Sequence, residues 1–114
     1  MPVEEDRLLQ IMLLDFYGDL LTEKQRECYS MYYNEDFSLS EIAEEKGVSR
    51  QAVWDNIRHA DAALKEFEEK TGLLHRFRQT RGSLLELREM LAELPSDAAV
   101  VRAEEKLDSV LESL

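Results

Sequence analysis

The stretch Ser38–Ala60, SLSEIAEEKGVSRQAVWDNIRHA, most constrains how this chain folds, because its local signals call for two short helices separated by a tight turn. Ser38 and Glu41 have the S-x-x-E spacing of a capping box, in which the hydroxyl satisfies an early backbone N–H and the glutamate reaches back to the cap residue. A helix therefore starts near Leu39 and buries Ile42 and Ala43, the alanine allowing close approach of a second helix. Gly47 supplies the left-handed conformation that ends it, and Ser49 is the next N-cap. At about 100° per residue, Arg50, Gln51, Trp54, Asp55 and Arg58 then share one face, while Val53, Ile57, Ala60 and Leu64 share the other. One face packs and the other is free to contact a partner. The short turn, the alanine at the contact and the Ser-Arg-Gln opening favour a helix-turn-helix over a plain hairpin of a bundle. That geometry alone does not decide between DNA, RNA and protein as the thing contacted.

The rest of the chain reads as helix too. It is rich in Leu, Glu and Ala, with 4 Gly and 2 Pro in 114 residues, which gives an all-α fold class and one compact domain with a helical extension. Leu9, Met12, Leu13, Phe16 and Tyr17 have the spacing of an amphipathic helix closed at Gly18. Thr22 with Gln25 opens a second helix with Cys28, Met31 and Tyr32 on one side. These two helices precede the helix-turn-helix and cover its apolar side. No Gly or Pro interrupts the chain from Arg50 to Thr71, so one long helix is expected over about 50–71, ending a helix-turn-helix domain of residues 1–72.

Residues 73–114 form a helical extension. The apolar rhythm resumes at Leu73, Phe77, Thr80, Leu84, Leu87, Leu91 and Leu94. Pro95-Ser96-Asp97 breaks it, Asp97 caps a last helix, and Val100, Leu107, Leu111 and Leu114 keep the period. Stripes spaced near 3.5 residues pack against one another or against a second chain. They exceed what the small N-terminal domain can cover, so the extension is expected to be an oligomerisation element that makes a homodimer. The alternative is an intramolecular bundle.

Charge bears on the partner. The net charge is −11, and residues 1–70 hold 8 Lys/Arg against 17 Asp/Glu. Such a chain repels polyanions, whereas Ser38–Ala60 taken alone is close to neutral, so nucleic-acid binding by that unit is expected to be weak at physiological salt. The one basic concentration is Leu74–Gly82, LHRFRQTRG, where Arg76, Arg78 and Arg81 surround Phe77. Arginine beside an aromatic suits phosphate and stacked RNA bases, and it equally suits pairing with acids across a helix interface. Trp54 either tucks against the preceding helix or stands as an exposed anchor.

Other classes find no signal. The longest apolar run, Ile11–Leu14, is far short of the roughly 20 residues of a membrane span, and the acidic start MPVEED lacks the basic region of a signal peptide. A cytoplasmic protein without membrane insertion is expected. One Cys, Cys28, with His59 and His75 apart from it, gives no zinc spacing. No Gly-rich phosphate loop or Ser/His/Asp arrangement occurs, so the chain reads as a non-enzyme with no metal and no cofactor.

The segments LLDFYGDLLTEKQRE (13–27), DFSLSEIAEE (36–45) and VSRQAV (48–53) resemble the YlxM family over about residues 8–72. The resemblance implies a helix-turn-helix like region 4 of sigma factors in a small bacterial protein. It also implies an accessory, regulatory role in the signal recognition particle (SRP) pathway, because family members are typically encoded beside that particle's GTPase and its receptor. The matching recognition-helix positions are Ser49, Arg50, Gln51, Trp54, Asp55 and Arg58, with Trp54 where a Tyr is common. Two functions follow: a regulator reading DNA or RNA with that face, or an adaptor whose acidic surface meets a basic protein while the helix-turn-helix serves as scaffold.

Overall fold

In the computed structural model, which describes the backbone from Glu4 to Leu114 and the side chains from Arg7 onward, the described residues are all-helical with no strand. The elements are α1 (Glu4–Tyr17), a short 3-10 turn (Gly18–Leu20), α2 (Glu23–Tyr33), α3 (Leu39–Lys46), α4 (Arg50–Thr71), α5 (Leu73–Ala92) and α6 (Ala98–Ser113). They divide into two compact units, the first extending through Leu74 and the second comprising His75–Leu114.

The first unit is built on α4, against which α1, α2 and α3 all pack. Its local boundaries follow the cap chemistry. The Thr22 and Ser38 capping boxes both form, Ser49 Oγ accepts from the Ala52 N–H, and Gly47 and Gly72 take left-handed conformations with φ of 67° and 62°. With those ends set, the stripe Val53, Ile57, Ala60 and Leu64 is buried, as are Leu13 and Tyr17 of α1, Tyr29 of α2 and Ile42 of α3.

Two expectations are corrected. The buried face of α2 is Cys28, Tyr29 and Tyr33, whereas Met31 and Tyr32 are half-buried. The cause is a polar clamp: Asp61 Oδ1 on α4 accepts from Tyr29 OH at 3.0 Å and from Gln10 Nε2 on α1 at 3.2 Å, which turns the Tyr29 edge of α2 inward. Leu74, and not Leu73, is buried, and its N–H donates to Glu68 Oε1 at 2.9 Å. That same carboxylate oxygen accepts from Tyr17 OH at 2.5 Å. Gly18 closes α1 as expected, the helix ending at Tyr17. It is buried in the 3-10 turn, where a Cβ would lie 3.2 Å from Leu14 Cδ1, so it is needed for close packing.

The loop after α2 is held from α1. Arg7 donates from Nε and Nη2 to the Tyr33 carbonyl at 3.1 and 2.8 Å, satisfying a helix-end acceptor, and it also pairs with Asp36. Asp36 takes φ 60°, a left-handed conformation that short polar side chains tolerate, and the chain turns so that the Phe37 N–H reaches the Met31 carbonyl at 3.0 Å.

In the second unit Asp97 caps α6 by accepting from the Val100 N–H, and Arg88 Nε pairs with Asp108 Oδ1 at 3.3 Å, joining α5 to α6. Leu107 is buried, and Leu84, Leu91, Val100 and Leu111 are half-buried. Leu87, Met90, Leu94, Val101 and Leu114 are exposed, Met90 at 63%.

Candidate nucleic-acid interface

The candidate reading face is made where α3 delivers the chain into α4. The Ser38 and Ser49 caps fix both helix starts, and the left-handed Gly47 between them sets the angle at which α4 leaves. Its cap N–H bonds to the carbonyls of Ala43 and Glu44, closing α3. Because Val53 and Ile57 are held in the core, the residues a third of a turn away face outward. Arg50, Gln51, Trp54 and Arg58 are exposed and Asp55 is half-exposed, all on one side of α4.

These side chains are ordered by one another. Gln51 Nε2 donates to Asp55 Oδ1 at 3.0 Å, and Arg58 Nη2 reaches the same oxygen at 3.4 Å. Arg50 Nη1 donates to Ser40 Oγ on α3 at 3.3 Å. Asp55 thus lies between Gln51 and Arg58 and cancels part of the arginine's positive field, while Lys46 at the end of α3 pairs with Glu27 on α2. The Ser49 oxygen is occupied as a cap, which leaves its hydroxyl proton for an outside acceptor. The face is therefore polar and close to neutral, as its composition implied.

Trp54 lies at the edge of a depression. It is 42% exposed, and with Tyr32 of α2, Leu39 of α3, Arg50 and Gln51 it lines an open concavity of about 640 Å³. Two polar side chains, Arg50 and Gln51, and two aromatic rings therefore share one depression. Tyr32 and Leu39 are not among the residues that spacing on α4 can reveal, since they come from other helices. The only sequence signal for them is an aromatic and a leucine just beyond the loop ends of α2 and α3. Arg76, Arg78 and Arg81, also exposed, lie on α5 in the second unit. Among the described residues no group of three or more His, Cys, Asp or Glu is arranged to hold a metal ion, and no helix is long and apolar enough to cross a membrane.

A capped pair of helices meeting at a left-handed glycine, with the second helix packed on one face and open on the other, defines a helix-turn-helix protein. The chain belongs to the UPF0122 family, described as "Putative helix-turn-helix protein, YlxM / p13 like", whose model matches residues 4–107. It is 51% identical over 98 residues to a UPF0122 protein of Shouchella clausii, covering 86% of this chain and 87% of that one. It is 48% identical to one of Halalkalibacterium halodurans over 86% of this chain and 90% of the relative. A UPF0122 protein of Acetivibrio thermocellus is 42% identical over 109 residues, covering 90% and 93%.

Proposed function

We propose that this chain is a regulatory helix-turn-helix protein that binds nucleic acid, DNA or RNA, through Arg50, Gln51, Trp54, Asp55 and Arg58 with the Ser49 hydroxyl beside them, and that it acts in the cytoplasm as an accessory of the signal recognition particle pathway. One observation carries the binding reading: Arg50, Gln51 and Trp54 stand together, exposed, on the first turns of α4, the part of a recognition helix that meets base edges. Arg suits guanine, Gln suits adenine, and an aromatic offers a stacking surface. The pathway assignment rests on kinship with the YlxM group. Residues 73–114 serve as the oligomerisation element of a homodimer, supported by exposed Leu87 and Met90 of α5 and Val101 of α6, and a dimer doubles the weak footprint of one unit. Arg76, Arg78 and Arg81 are a second basic contact.

The test is titration of duplex DNA and structured RNA with the intact chain and with Arg50→Ala/Gln51→Ala. Neither side chain belongs to the packed stripe, so the fold is retained, and loss of base contacts should remove about 1–3 kcal/mol of sequence discrimination. A titration unchanged by the double substitution would exclude α4 as the reader.

A second reading is favoured by the net charge of −11 and by the engagement of Arg58 with Asp55 and of Lys46 with Glu27. In it the acidic surface binds a basic protein and the helix-turn-helix is a scaffold. That binding survives the double substitution.

A further inference from the structure

A second depression lies in the first unit and shares no residue with the Trp54 concavity. It has a volume of about 540 Å³, within the range of roughly 300–1,000 Å³ of specific binding clefts. Its floor is apolar: Leu14 from α1, Met31 from α2, and Phe37, which the left-handed Asp36 and the Phe37 N–H bond to Met31 bring back over α2. A methionine floor adapts to differing apolar side chains.

The rim is charged, and its cations are engaged. Lys46 pairs with Glu27, whose carboxyl is held below the usual carboxylate range chiefly by that hydrogen bond, and Arg26 Nη1 pairs with Asp19 Oδ1 at 3.3 Å. Glu35 and Glu45, both exposed, form no ion pair among the described residues. The groove therefore has an apolar floor and an acidic excess at its edges.

We infer that this groove between α2, the Asn34–Ser38 connection and α3 is a docking site for a basic amphipathic helix of a partner protein, whose apolar side chains sit on Leu14, Met31 and Phe37 while its flanking Lys or Arg meet Glu35 and Glu45. An open groove with a short apolar floor accepts anchors at i, i+3 or i+4, and i+7 of a helix, and the acid excess selects cationic flanks. The inference rests on the second reading above and gives it a location. It is independent of what the α4 face binds.

The probe is a synthetic amphipathic peptide with leucines at i, i+3, i+4 and i+7 and lysines between, labelled for fluorescence anisotropy, with a counterpart in which glutamate replaces each lysine. The intact chain should bind the lysine peptide and not the glutamate one. Glu35→Lys/Glu45→Lys should weaken binding by about tenfold, and Met31→Gln should weaken it without changing its salt dependence. In the intact chain, amide shifts on binding should cluster at 26–37 and 45–46. A remote reversal on α6, Glu105→Lys/Glu112→Lys, should change nothing. Equal weakening by the remote reversal would overturn the groove assignment and leave the acidic-surface reading standing, whereas absence of lysine-peptide binding would overturn both. Shifts confined to the Arg50–Arg58 face, or a change in sedimentation of the chain alone on reversing Glu35 and Glu45, would also overturn it, the latter by placing a second copy in the groove.

Discussion

Replacing Asp61 by Ala removes one acceptor from three donors, and the cost can be worked out from what each donor has left. Lys65 Nζ, 2.7 Å from Asp61 Oδ2, is largely exposed and turns to water, so its loss is about 0.3–0.5 kcal/mol. Tyr29 is different: the residue is fully buried, and its hydroxyl, 3.0 Å from Oδ1, has no solvent to turn to. An orphaned buried hydroxyl costs about 1–3 kcal/mol. With the half-buried Gln10 amide also losing its acceptor, Asp61→Ala should destabilise the chain by about 2–3 kcal/mol. Tyr29→Phe should cost about 1–2 kcal/mol, because Asp61 keeps two of its donors. Combined, the two should cost at least about 1 kcal/mol less than their sum, since a phenyl ring needs no acceptor. Urea unfolding followed by the helical circular dichroism signal measures all three. Additivity within about 0.3–0.5 kcal/mol would refute the clamp as the feature that orients α2 on α4.

The same tyrosine makes an alkaline prediction. Burial, and secondarily the Asp61 charge, push the Tyr29 phenol well above its ordinary value of 10.0, so the native state retains a proton that the unfolded state loses. Its contribution to stability is full below about pH 10 and is lost as pH rises past it, and Tyr29→Phe should flatten that limb of a stability-versus-pH curve. Gly47→Ala meets no atom within 4 Å but must hold φ near 67°, so it should cost about 1–2 kcal/mol in denaturant unfolding, all of it backbone strain. A cost near zero would mean that the turn relaxes. If residues 73–114 make the dimer, Leu87→Glu with Met90→Glu should convert the chain to a monomer in sedimentation at micromolar concentration. Both side chains are already exposed, so each folded unit should persist.

What the sequence determined by itself about this protein is mostly what three or four consecutive residues settle among themselves. A hydroxyl and a glutamate three positions apart close a capping box whatever surrounds them, which is why Thr22–Gln25 and Ser38–Glu41 form as spacing implied. Gly47 and Gly72 end helices because few other residues take a left-handed backbone easily, and the uninterrupted run between Arg50 and Thr71 is one helix. The outward face of α4 follows from the same arithmetic, so Arg50, Gln51, Trp54, Asp55 and Arg58 were found together. Tertiary structure decided the choices between neighbours. Adjacent helical residues differ by about 100°, and an apolar stripe is at least that wide, so periodicity does not separate Leu73 from Leu74 or Tyr32 from Tyr33. Those were set by hydrogen bonds beyond the local turn, between Glu68 and the Leu74 N–H six residues on and between Asp61 and the distant Tyr29. The two concavities are likewise invisible in one dimension. Tyr32 and Leu39 meet Trp54, and Phe37 meets Met31 and Leu14, only because α2, α3 and α4 are brought together around a shared core.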